Sequence, residues 1–248
     1  MKTIVLANQK GGVAKTTSTY NLGYLKALEG NRVLMIDLDP QASLTIMCGL
    51  VPGKTELDVC QLFNPKIDPF ACCVQVEASG LSDLYLVPSD IELAVTEQNL
   101  IGRTAREKLL RRCISVFSQD VDYILIDCPP QLGVLTMNGL VAADCVVVPT
   151  KAEYLSYRGV RSLKDTIRVA REEFNPSLEM AGFIITMYEK GIASQRAMLG
   201  QFEKEGDILG VVKKSADSYR DILDGKPVVM SKKWSDVSKA YQEIAGKL

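Results

Sequence analysis

The sequence predicts an α/β fold: a single doubly wound, mostly parallel twisted sheet with helices on both faces. Three observations predict it. At least six short apolar runs alternate with helical patterns along the chain. The first of these runs leads through a glycine loop straight into a helix. No repeat, low-complexity tract or long linker breaks the alternation, so residues 1–248 read as one domain, a length that can bury a single core.

The first element is Ile4 to Thr17, I-V-L-A-N-Q-K-G-G-V-A-K-T-T. Ile4 to Ala7 suit a buried parallel strand. Gly11 and Gly12 follow, with Val13 and Ala14, and Lys15-Thr16-Thr17 open a helical pattern. Strand, glycine loop and helix N-terminus make a phosphate cradle, where free backbone N–H groups converge and the helix dipole adds positive charge. Lys15 is placed to reach β- and γ-phosphates and Thr16 to ligate Mg²⁺. A glycine pair alone would suggest only a turn; the lysine and threonines in register argue for the cradle. Ala14 is expected at negative φ, where its methyl is tolerated.

The helix places Leu22, Leu25 and Leu28 on one face and stops at Gly30. Arg32 to Leu38 is a second buried strand that ends in acid, Asp37-Leu38-Asp39-Pro40. The result is a right-handed βαβ unit with two carboxylates at the carboxyl end of the strand, where ligands bind in such sheets. Asp and Pro also suit an ordinary strand-ending turn. A dinucleotide-binding unit is the rival for this half, but its third glycine is missing and it has no use for Lys15-Thr16-Thr17.

Composition narrows the class. Apolar residues make up 47% and charged residues 24%, and the net charge is −1, so any nucleic-acid contact needs a local basic patch. No stretch approaches the ~18 apolar residues of a membrane span, and the chain enters a strand with no signal peptide. Seven cysteines, an odd number with no C-x-x-C pair, suggest reduced thiols in a cytosolic setting. There is no histidine, which removes His-based metal sites and Ser-His-Asp or Cys-His nucleophiles.

Residues 51–100 are less regular. Glu56 to Phe63 is expected to be helical, Cys72 to Val76 and Leu84 to Val87 short strands, and Asp90 a cap for a helix from Ile91. Arg103 to Phe117 reads as one amphipathic helix with Leu109, Leu110, Cys113, Ile114 and Phe117 on its apolar face. Tyr123 to Asp127 is a strand ending in aspartate, followed by Cys128-Pro129-Pro130. Asp144 to Pro149 is another strand, and Ser156 enters a helix to about Phe174. Arg161, Lys164, Arg168 and Arg171 recur on that helix, either as a DNA-facing stripe or as a solvated face. Met180 to Thr186 and Ile208 to Val212 are strands, and Ser194 to Glu205 is helical. The last helix, Ser235 to Leu248, is too weakly apolar for a membrane anchor and should pack on its own domain through Val237, Ala240, Tyr241, Ile244 and Ala245.

K-G-G-V-A-K-T-T departs from the ordinary G-x-x-x-x-G-K-[ST] loop and carries a second lysine, Lys10, at its entrance. It resembles the deviant Walker A loop of the ParA/MinD family of P-loop ATPases. V-L-M-I-D-L-D-P-Q-A-S, Y-I-L-I-D-C-P-P and P-T-K-A-E-Y-L-S-Y-R-G extend the resemblance, which runs the length of the chain and is weakest between 50 and 120. The pattern is that of the small, Soj-like kind. The resemblance implies ATP and Mg²⁺ as cofactors. Lys10, Gly11, Gly12, Val13, Ala14, Lys15, Thr16 and Thr17 would hold phosphates, and Met187, Lys213 and Ser215 the nucleoside. Thr16, Asp37 and Asp127 would serve the metal. Lys10, Lys15 and Asp39 would be catalytic, Lys10 by reaching the nucleotide of a second subunit and Asp39 by orienting water.

The resemblance also implies an ATP-dependent homodimer that binds nonspecific DNA, a ParB-like centromere-binding partner that accelerates hydrolysis, and a cytoplasmic protein on the nucleoid when ATP-bound. Candidate DNA contacts are Lys190, Lys214, Arg220, Lys232 and Lys233. Between 213 and 233 six basic residues face three acids, Asp217, Asp221 and Asp224. Four positions depart from the family pattern: Ala14 for a frequent glycine, Gln131 where Ser is frequent, Lys213 for an expected proline and Asp217 for a usual arginine. The alternatives are a MinD-like regulator working on membrane, an electron-transfer ATPase resembling the nitrogenase iron protein, and a relative that does not turn ATP over.

Overall fold

The structure is a computed structural model and describes residues 1–215, 225–231 and 234–248. In chain order its elements are β1 (Lys2–Leu6), α1 (Lys15–Leu28), β2 (Val33–Asp37), α2 (Ser43–Met47), α3 (Val59–Leu62), β3 (Val74–Gln75), β4 (Leu84–Val87), α4 (Leu93–Ile101), α5 (Leu109–Ile114), β5 (Tyr123–Asp127) and α6 (Val134–Ala142). There follow β6 (Cys145–Lys151), α7 (Tyr154–Glu173), β7 (Glu179–Tyr188), α8 (Ala193–Glu205), β8 (Ile208–Lys213), α9 (Val228–Ser231) and α10 (Asp236–Ala245).

The eight strands form one sheet in the order β3-β4-β2-β5-β1-β6-β7-β8. Every pairing is parallel except the short β3, which runs antiparallel to β4. Both faces are covered, which is why the strands are apolar throughout instead of alternating with polar residues. Val5, Ile36, Ile126 and Val148 point to the face that carries α3 to α8. Ile4, Leu6, Met35 and Leu125 point to the face that carries α1, α2, α9 and α10. β1 lies between β5 and β6, so the chain winds outward from it in both directions. That reversal opens a crevice at the carboxyl ends of the strands, and the glycine loop empties into it.

Two expected elements are different. Cys72 to Val76 is not a strand: Pro69–Cys72 coils into a 3₁₀ turn whose first N–H groups are capped by Asp68, leaving only Val74–Gln75 to pair. Arg103 to Phe117 is not one helix. Ala105 adopts a left-handed φ of 52°, 106–108 is a 3₁₀ turn, α5 is a six-residue helix, and Ser115–Gln119 tightens to 3₁₀ again. Asn138 of α6 takes over the groups thus freed. Its Oδ1 accepts from Leu110 N–H (3.0 Å) and its Nδ2 donates to the Arg106 carbonyl (2.8 Å). A tertiary contact therefore replaces the helical bonds that periodicity alone leads one to expect.

The final helix packs as expected. Ser235 caps it through Ser238 N–H, and Val237, Tyr241, Ile244 and Ala245 are buried against α1 and β8. The contact is close because β8 carries Gly210: a Cβ there would lie 2.5 Å from Ile244 Cγ1. Among the described residues no helix is long and apolar enough to cross a membrane. Gly210→Ala should therefore push α10 off the sheet and lower the unfolding free energy by about 1–3 kcal/mol in urea titration.

Candidate functional site

The loop from β1 to α1 turns on two left-handed residues, Gly12 (φ 66°) and Ala14 (φ 62°). The expectation of negative φ at Ala14 is thus overturned. Ala14 is the N-cap of α1, and its carbonyl accepts from Ser18 N–H at 2.9 Å. A left-handed turn at that point aims the first amides of α1 back into the crevice, at a cost of roughly 1–2 kcal/mol for a residue with a Cβ. No side chain caps that helix start and its first turn holds no acid. The N-terminal N–H groups are left for an external anion.

The acids stand opposite. Asp37 and Asp127 end adjacent strands in register and are fully buried. Asp37 is occupied: its Oδ2 accepts from Thr45 N–H (2.9 Å) and Thr45 Oγ1 (2.8 Å), and its Oδ1 from Asp39 N–H (3.1 Å). Asp127 is not. Its Oδ1 receives a long contact from Thr19 Oγ1 (3.4 Å), while its Oδ2 is buried and meets no hydrogen-bond partner among the described residues. Burial, then the Asp37 charge, push Asp127 up to about 8, with Thr16 and Lys15 acting the other way. Asp37 is raised less, to about 6, because Thr45 and Asp39 donate to it against the same burial. Lys15 is buried, its Nζ lies 3.5 Å from the Lys10 carbonyl, and burial lowers its pKa against the pull of Asp127. An orphaned carboxylate oxygen beside a threonine and uncapped helix amides suits a hard divalent cation carrying phosphate oxygens. By this test Thr16 and Asp127 could hold Mg²⁺, with Asp37 behind them as support.

Lys10 lies elsewhere. Its Nζ contacts Glu153 Oε2 at 2.6 Å and Ser156 Oγ at 3.0 Å, at the start of α7. Asp39 is half-buried at the rim; its Oδ1 accepts from Gln41 N–H and its carbonyl from Ser89 Oγ. Beside the loop opens a largely apolar cavity of about 390 Å³, lined by Thr17, Met187, Lys213, Ser215, Val237 and Tyr241 among others. Met187 there has φ 53°.

The basic candidates fare unevenly. Lys190 is exposed in the turn after β7. Lys213 pairs with Asp236 (2.7 Å) and Lys214 with Glu189 (3.1 Å), both exposed pairs of small energetic weight. Arg220, Lys232 and Lys233 lie outside the described residues, as do Asp217, Asp221 and Asp224. On α7, Lys164 is engaged by Glu205 and Arg168 by Glu172. All seven cysteines are free thiols.

Sequence reasoning missed Thr45, Ser89, Glu153 and Ser156. Thr45 N–H and Oγ1 hold Asp37, and Ser89 N–H donates to Thr45 Oγ1 at 2.8 Å, a relay across two loops. Thr45 and Ser89 carry no local motif; Glu153 and Ser156 lie within P-T-K-A-E-Y-L-S-Y-R-G, but only the fold brings them to Lys10. Val237 and Tyr241 were read as packing residues, yet they also line the cavity, and Tyr241 Oη meets Ser18 Oγ at 3.0 Å.

A mostly parallel sheet with a glycine loop, a buried lysine and strand-end aspartates around one crevice defines a P-loop nucleotide-binding protein. A family profile described as an AAA domain matches residues 1–180. The sporulation initiation inhibitor protein Soj of Bacillus subtilis is 38% identical over 188 residues, 76% of this chain and 73% of Soj. The chromosome partitioning protein ParA of Caulobacter vibrioides is 36% identical over 261 aligned residues, 99% of this chain and 92% of ParA. The crystal structure of cobyrinic acid a,c-diamide synthase from Mycobacterium smegmatis with bound ADP and magnesium superposes with a TM-score of 0.83 at 34% identity, covering 99% of this chain and 93% of that one. The chain belongs to the ParA/MinD family of P-loop ATPases.

Two predictions follow from the loop and the acids. Ala14→Gly removes the left-handed strain but loosens the unfolded chain; the net should be a gain of about 0.5–1 kcal/mol in unfolding free energy. The second concerns pH. The folded state holds the Asp127 proton up to about 8 while the unfolded chain releases it near the ordinary aspartate value of 3.8, so stability of the ligand-free protein falls as pH rises between them. Asp127→Asn should raise the thermal midpoint at pH 8 and change it little at pH 4, measured by calorimetry without nucleotide or metal.

Proposed function

We propose that the chain, as one domain, is an ATP-hydrolysing DNA-partitioning protein whose active form is a nucleotide-bridged homodimer. The observation that carries this reading is Lys10. Its ammonium is held by Glu153 and Ser156 of α7, not by the Lys15–Asp127 cluster, although it belongs to the loop that cradles phosphate. A lysine so placed serves a second nucleotide better than its own. ATP binds on the N–H groups of Gly11 to Thr17, with Lys15 on its β- and γ-phosphates and its base in the cavity beside Met187, Lys213 and Ser215. Thr16 and Asp127, with Asp37 in support, would hold Mg²⁺, which would supply charge neutralisation at the phosphates. Asp39 positions the attacking water. Phosphoryl transfer needs positioning and charge neutralisation more than covalent help, so a site short of one cation is slow until a twin supplies it.

On this reading Lys10 leaves Glu153 and crosses to its twin, and the closed dimer binds nonspecific DNA. A ParB-like partner then stimulates hydrolysis and releases the DNA. The likeness to Soj and ParA supports partition as the role, in the cytoplasm and on the nucleoid when ATP is bound. One other reading is less well supported. A membrane-working MinD-like regulator needs an apolar helix face to spare, and that of α10 is buried on α1 and β8.

The test is binding to random duplex DNA with ATP, ADP or no nucleotide at two salt concentrations. Binding should require ATP and weaken steeply with salt. Lys10→Ala should bind ATP yet neither dimerise in light scattering nor bind DNA. DNA binding indifferent to nucleotide, or ATP-driven dimers of Lys10→Ala, would overturn the reading.

A further inference from the structure

The pole of the sheet opposite the nucleotide crevice carries a second cavity, of about 340 Å³, at the amino ends of β2, β4 and β5. Its floor is Leu34 and Tyr85, neighbours in register on β2 and β4. Its wall is Phe70 and Phe117, whose rings meet edge to face at 4.8 Å. Phe117 is buried, but Phe70 and Tyr85 remain 45% and 38% exposed, an unusual outlay of aromatic surface.

The rim is acidic. Arg32 is held by Asp122 through two contacts, Nη2 to Oδ1 at 3.2 Å and Nε to Oδ2 at 3.3 Å. Asp83 and Asp120 also line the mouth, and both raise the pKa of that guanidinium, behind Asp122. Among the described residues the Asp83 carboxylate accepts only from the Ser82 hydroxyl, and the Asp120 carboxylate has no partner. One guanidinium against three carboxylates leaves a net charge of −2 over an aromatic slot, or −1 with the terminal ammonium that acts on Asp122. Such a mouth repels nucleic acid. Aromatic faces and carboxylates together suit a cation on an apolar stem, which lies along the rings while its head meets the acids.

We propose that this slot docks an arginine-bearing, otherwise apolar segment of a partner protein. The guanidinium sits between Asp83 and Asp120, its stem lies against Tyr85 and Phe70, and the flanking apolar residues cover the exposed faces of those two rings. This site is separate from the nucleotide crevice, so it stands or falls independently of the ATPase reading.

The test uses the full chain, amide-resolved NMR and the peptide acetyl-Leu-Arg-Leu-Arg-Leu-amide. Shifts should centre on Phe70, Cys73 and Tyr85, with a dissociation constant of about 0.1–1 mM that rises with salt. Asp83→Asn with Asp120→Asn, both exposed positions, should weaken binding about tenfold, and so should replacing both arginines of the peptide by glutamine. Tyr85→Ser should weaken it too, with ATP binding unchanged as the check on folding. Four results would overturn the proposal. These are no shifts at about 5 mM peptide, shifts centred elsewhere, equal binding of the glutamine peptide, and equal binding of arginine amide alone, which would make the slot a small-cation site.

Discussion

The structure depends on one unsatisfied carboxyl group. Asp127 ends the strand beside the phosphate loop, wholly buried, with one oxygen that meets no hydrogen-bond partner among the described residues. Leaving a polar group so placed costs free energy that a domain tolerates only where something else completes the site. The elements around it serve the same end. Lys15 is buried nearby, α1 presents uncapped amides, and Asp37, its neighbour in register, is fully supplied with donors. The crevice thus sets uncapped helix amides and a buried lysine against one unsatisfied carboxyl group, a polarity that suits an anion with its counter-ion.

That fitting is built from the sheet outward. β1 sits at the reversal of strand order, so the loop after it opens where no crossover helix can cover it. The helices then tie distant parts of the chain to the loop. Tyr241 of the last helix meets Ser18 of the first, and Thr186 of β7 donates to the Val13 carbonyl. Lys213 at the end of β8 is paired with Asp236 at the start of α10. A change in the nucleotide cavity therefore bears directly on the carboxyl-terminal helix.

How far the sequence was legible follows from the range of the forces involved. Buried parallel strands announce themselves, because a strand covered on both faces must be apolar along its length; β2, β4, β5 and β8 fall where expected. Arg103 to Phe117 misled because its periodicity is truly helical, while the bonds that would complete the helix go to Asn138, which lies some thirty residues away in sequence. Ala14 misled for a different reason. A methyl argues against positive φ, yet the need to aim α1 into the crevice outweighs that local preference. Thr45 carried no local signal at all, and nothing local tied Glu153 and Ser156 to Lys10.

By itself the sequence determined the α/β class, the sheet's apolar strands and the residues of the phosphate loop, since these rest on local pattern and on chemistry carried within a few residues. Only the tertiary structure decided which carboxylate is saturated and which is left wanting, where the Lys10 ammonium rests, and that an acidic aromatic slot opens at the far pole. Each of those outcomes depends on side chains brought together across strands, where burial removes water and geometry alone settles which partner a charge can find.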